Sequence, residues 1–107
     1  MDQAGRNLSA CEIERLLLAA LCAPGLDEET RAQLFERLAA HKFAGPDHEV
    51  IFQAFLKMRS APARHIRETL GARLTRLGFP DIDVDPIFSL EPPSAAQIAT
   101  LLDRLTD

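Results

Sequence analysis

The chain has 107 residues, 47 % of them apolar and 26 % charged, which suits one domain spanning 1–107 with its own core and argues against disorder. A net charge of −4 argues against general binding to a phosphate backbone, which needs clustered Lys and Arg, and six Phe without Trp or Tyr leave no large stacking platform for bases. No stretch reaches the ~18 apolar residues of a membrane span, and the polar opening at 1–8, expected to be flexible, carries no signal-peptide pattern.

Ser9 followed by Glu12 has the spacing of a capping box, in which each side chain bonds the other residue's backbone N–H. Behind it Ile13, Leu16, Leu17, Ala20 and Leu21 recur at helical spacing, so a first helix is expected up to the break at 23–26. Cys11 and Cys22 both fall in it. Eleven helical residues separate two Cα atoms by roughly 16 Å, beyond the ~7 Å a disulfide spans, so the two thiols cannot pair with each other. Unpaired thiols fit a reducing cytoplasm, the expected location.

Asp27 reads as the N-cap of a second helix, with Glu28 and Glu29 at the positive end of its dipole and Leu34, Phe35 and Leu38 facing inward. A third helix is expected to start near Asp47, with Pro46 in the first turn and Asp47 as the cap. Val50, Ile51, Ala54, Phe55 and Met58 give it an apolar stripe that Phe52 and Leu56 widen. After a break at 59–64, Ile66, Leu70, Leu74 and Leu77 mark a fourth helix, ended by Gly78 and Pro80. The four prolines within 79–93 predict an irregular connection pinned by Ile82, Val84, Ile87, Phe88 and Leu90. Ser94 with Gln97 opens the last helix, carried by Ile98, Leu101, Leu102 and Leu105. The expected fold is all-α: a compact bundle of about five short helices, with Leu17, Leu21, Phe35, Ile51, Phe55 and Leu70 in its core.

Four constellations could carry chemistry, and each has a plainer explanation. Asp47, His48 and Glu49 are consecutive on a helix and point in different directions, so they cannot chelate one ion; His48 is expected to hydrogen-bond locally. Asp81, Asp83 and Asp85 have the opening rhythm of a calcium loop, but Pro86 and Pro92 stand where that loop needs Gly and Glu, so a solvated loop is expected. The serines fall at caps and turns, and neither a nucleophile elbow nor a phosphate-cradling loop occurs, so ATP hydrolysis is not expected. Arg59, Arg64, Arg67, Arg73 and Arg76 outnumber Glu68 in their stretch, yet at 100° per residue they scatter around a helix instead of forming a recognition stripe. No catalytic residue, cofactor or metal is therefore expected.

The stretch Phe43, Pro46, His48, Ile51, Phe52 and Ala54 resembles a signature of the N-terminal domain of DnaB-type replicative helicases. Glu14, Leu17, Leu18, Ala20 and Leu21 are similar to that family's opening helix, with Ala19 where Gly is usual. Residues 68–70 resemble the start of another family helix, and 93–98 (PSAAQI) resemble the point where its helical hairpin begins. The resemblance implies a small non-catalytic helical bundle that, in the helicase, forms a collar, assembles with copies of itself and meets primase; the helicase-binding domain of DnaG-type primase has a related fold. The partner expected is thus a replicative helicase, a primase or a second copy of the chain. Phe52, Leu56, Arg59, Leu101 and Leu105 are the candidate contact residues. The alternative is a small nucleic-acid-binding helical protein using the basic region Arg59–Arg76.

Overall fold

A computed structural model describes residues 9–23, 25–59 and 62–106. The stretch at 1–8, expected to be flexible, lies outside the described residues. Among the described residues six helices follow one another: α1 (Ala10–Leu21), α2 (Glu28–Ala39), α3 (Pro46–Lys57), α4 (Ala63–Arg76), α5 (Asp85–Phe88) and α6 (Ala95–Thr106). The described residues contain no strand, and the architecture is the all-α bundle expected.

The caps read from the sequence are in place. Glu12 N–H donates to the Ser9 hydroxyl and Ser9 N–H to the Glu12 carboxylate, closing the capping box at α1. Asp27 accepts from the Thr30 N–H, and Ser94 and Gln97 exchange the same pair of bonds ahead of α6. Each such cap stabilises its helix by ~1 kcal/mol because it satisfies N–H groups that the first turn leaves orphaned. At the other end of α4, Gly78 takes φ 96°, a left-handed conformation open to it because it has no Cβ. Its N–H reaches the Thr75 carbonyl and the Phe79 N–H reaches that of Leu74, the paired bonds of a Schellman stop.

Two expectations are corrected. The connection at 79–93 is not wholly irregular, because Pro86 sits in the first turn of the short α5 and Ile87 from that turn is buried at 3 % exposure. The cap of α3 is Gly45, not Asp47; Pro46 opens the helix and Asp47 is already inside its first turn. A side chain is not wanted at Gly45, for a reason that belongs to the site below.

α1 is the hub. It packs against α2, α3, α5 and α6, while α4 packs against α3. Such a position requires apolar character around most of the helix, and α1 supplies it with Ile13, Leu17, Leu18, Ala19, Ala20 and Leu21, all buried. Phe35, Ile51, Phe55, Ile66, Leu70 and Leu74 complete the same cluster, and α6 adds Ile98, Leu101 and Leu102. One residue on this buried side of α1 is not apolar: Glu14 has no exposed surface.

Candidate functional site

Glu14 lies on one helical stripe with Leu17, Leu18 and Leu21, so folding α1 into the centre carries a carboxylate in with them. A buried carboxylate must be fully hydrogen-bonded or its burial destabilises the fold. Four donors meet it, three from the segment that links α2 to α3 and one, His48, from the first turn of α3. Oε2 accepts from His41 Nε2 at 2.6 Å and from the Ala44 N–H at 2.7 Å. Oε1 accepts from His48 Nδ1 at 3.0 Å and from the Gly45 N–H at 3.2 Å. Burial pushes the Glu14 carboxyl up, but the bonds from Ala44, His41, His48 and Gly45 more than offset it and hold the group below its ordinary value. The carboxylate is therefore ionised near neutrality and can only accept, so the ring nitrogens facing it carry hydrogens.

The tight approach of His48 explains Gly45. A Cβ at that position would lie 2.8 Å from Nδ1 of His48 and 3.2 Å from its Cγ, so glycine leaves the space the imidazole fills. The rings continue into the core: His41 meets the edge of Phe43 at 5.0 Å between centroids, Phe43 lies 5.4 Å from Phe52, and Phe52 lies 6.0 Å from Phe35. The acid, two imidazoles and three phenyl rings form one continuous assembly across α1, α2, the 40–45 turn and α3.

His48 thus bonds a residue 34 positions earlier, which corrects the expectation of a local partner. The sequence neighbours Asp47 and Glu49 are both exposed and are not brought to it. A different trio is: the ligand-type atoms of Cys11, Glu14 and His48 all lie within 4.8 Å of one another. Cys11 is half-buried on the turn of α1 before Glu14, whereas Cys22 is buried, with a thiol pushed up to about 11 by burial. The Cys22 thiol is accordingly protonated at neutral pH and a poor nucleophile. Asp81, Asp83 and Asp85 are exposed, and the Asp83 carboxylate accepts from the Asp85 N–H, a turn closed on itself.

The five candidate contact residues differ in exposure. Phe52 is in the core at 2 % exposure, because its ring fills the space between Phe35 and Phe43; it offers a partner no free face. Leu101 is also largely covered, at 8 %, and borders a cleft of about 590 Å³ with Leu16, Pro92, Pro93 and Ala96. Leu105 is half-buried and borders a second cleft, of about 330 Å³, with Leu102, His41 and Lys42. Leu56 is half-buried near the end of α3. Arg59 is exposed, with its guanidinium 5.3 Å from the centre of the Phe35 ring.

The basic region is partly committed to local contacts. Arg67 donates to the Phe88 carbonyl and lies over the Phe88 ring, tying α4 to α5. Arg31, outside that region, donates to the Leu21 carbonyl at the end of α1 and shares the Phe35 ring with Arg59. Among the described residues no helix is long and apolar enough to cross a membrane. No family model, curated protein or solved structure matches the chain.

Proposed function

We propose that the chain is a non-catalytic protein-interaction domain, similar to the N-terminal collar domain of DnaB-type replicative helicases, that acts in helicase–primase assembly in the cytoplasm. The supporting observation is that the two longest stretches carrying the resemblance meet each other. Glu14 of the first accepts from His48 of the second, and Leu17, Leu18, Ala20, Leu21, Ile51, Phe52 and Ala54 around them are core. Residues that are far apart in sequence and resemble one family signature are here parts of one packing unit.

In this reading the matched residues build the bundle and the docking surface lies elsewhere. The cleft beside α6, bordered by Leu16, Pro92, Pro93, Ala96 and Leu101, supplies an apolar seat next to the stretch that resembles the start of the family's hairpin. Leu105, at a second cleft, and Leu56 offer further half-buried apolar surface, and Arg59 an exposed charge. Covering such surface contributes roughly 25 cal/mol per Å², reduced by the cost of association.

Size-exclusion chromatography with light scattering tests the reading, with the chain alone and mixed with the helicase and the primase of the same organism. Co-elution with either protein, or a dimer that competes with that complex, is the expected result. A monomer in all three samples contradicts it. Retention on DNA that falls steeply with added salt would instead favour the basic region as the working surface.

A further inference from the structure

We propose that Cys11, Glu14 and His48 form a binding site for a divalent transition-metal ion of the zinc class. The ligand atoms are already within 4.8 Å of one another. Four-coordinate zinc, with bonds of about 2.0–2.3 Å, holds its ligands roughly 3.5 Å apart, so contraction by about an ångström completes the set. Cys11 and Glu14 are three apart on α1 and share its face, and His48 enters from the first turn of α3.

The donor types select the ion. Thiolate sulfur, imidazole nitrogen and carboxylate oxygen together suit zinc and its neighbours, whereas magnesium and calcium take oxygen alone. Charge balances as well: a thiolate and a carboxylate offset the two positive charges, with the imidazole neutral. On binding, the Cys11 thiol gives its proton to water and forms the metal–sulfur bond; the His48 ring stays neutral but passes its Nδ1 proton through water to Nε2, so that Nδ1 exchanges its bond to Glu14 for one to the ion; Glu14 is ionised already, and no redox change occurs. Three protein ligands leave the fourth position to water.

Glu14 is also oriented as ligating carboxylates are. His41 and the Ala44 N–H clasp Oε2 and fix the plane of the group, the role outer hydrogen bonds play around metal sites. Gly45 lets the His48 ring approach without obstruction. Cys11, the half-buried member, gives the ion its way in, while Glu14 and His48 are covered. The ion would fasten α1 to α3 directly. This inference replaces the expectation of no metal, which rested on spacing along the chain, and it is independent of the partner-binding reading.

Cobalt(II) is the probe. Titrated into the full chain, it is expected to give a thiolate-to-metal charge-transfer band that saturates at one equivalent and is bleached by zinc. The band should vanish in Cys11→Ser and in Cys11→Ala and survive in Cys22→Ser. Zinc should raise the melting temperature of the wild type and of Cys22→Ser but not of either Cys11 variant, each shown to be folded by circular dichroism. Absence of the band in the wild type, a band unchanged in both Cys11 variants, or a zinc effect on melting that survives in them overturns the proposal.

Discussion

A Cβ on Gly45 would stand 2.8 Å from Nδ1 of His48, the nitrogen that donates to Glu14. The position caps α3 with backbone alone and yields its side-chain space to the imidazole. Gly45→Ala must therefore push the ring off the carboxylate or shift the start of the helix. Overpacking of this kind destabilises by about 1–3 kcal/mol. The check is urea denaturation, and a change below the error of the fit would mean that the ring has room to move.

Glu14 is the acceptor for four donors, and removing it leaves His41, His48 and two N–H groups without it. Glu14→Ala is expected to cost about 3–5 kcal/mol, the range for breaking a buried, paired charge. Glu14→Gln keeps the volume but turns an acceptor-only group into one that is half donor, so it should destabilise too.

The same group makes stability depend on acid. Its folded-state pKa is below the unfolded value, so its contribution is fully present above the ordinary carboxylate pKa of about 4.3 and is lost as pH falls through the folded value. Glu12 and Asp27 act in the same direction, held low by the Ser9 and Thr30 backbone N–H groups respectively. Midpoints measured from pH 7 down to pH 3 should fall steeply below about pH 4.5 in the wild type and less steeply in Glu14→Gln. Parallel profiles would count against Glu14.

Phe52 is packed between Phe35 and Phe43, so Phe52→Ala should behave as a core truncation. The expected loss is about 3–5 kcal/mol. A loss under 1 kcal/mol, with partner binding abolished, would return Phe52 to the surface role that the sequence allowed it.

The two thiols should react very differently. Cys22 is buried and its thiol is raised to about 11, while Cys11 is half-buried on the same helix. One equivalent of an alkylating reagent on the native chain should label Cys11, as read by peptide mass mapping. Preferential labelling of Cys22 would mean that α1 does not pack as described.

Local signals carried the secondary structure: the Ser9–Glu12 and Ser94–Gln97 boxes, the Asp27 cap and the Gly78 stop are each settled by neighbours within a few residues. Apolar periodicity likewise named Leu17, Leu21, Phe35, Ile51, Phe55 and Leu70, all at 1 % exposure or less. Two kinds of feature were hidden. The partners of Glu14 lie 27 to 34 residues away, a distance at which spacing carries no information. Yet a clue was present: Glu14 falls in the same i, i+3, i+4, i+7 stripe as Leu17, Leu18 and Leu21, where a charge demands partners. Interface and core, moreover, use the same residue types, which is why Phe52 and Leu101 could be read either way.

The most direct measurement compares complex formation by two variants. Leu105→Asp changes half-buried apolar surface on α6, in a cleft that His41 also borders. Light scattering of mixtures with helicase and with primase should show wild type in a complex and folded Leu105→Asp out of it, with Ser89→Ala, an exposed control, binding as wild type. A wild-type chain that stays monomeric beside both proteins would contradict the role in helicase–primase assembly proposed for this bundle.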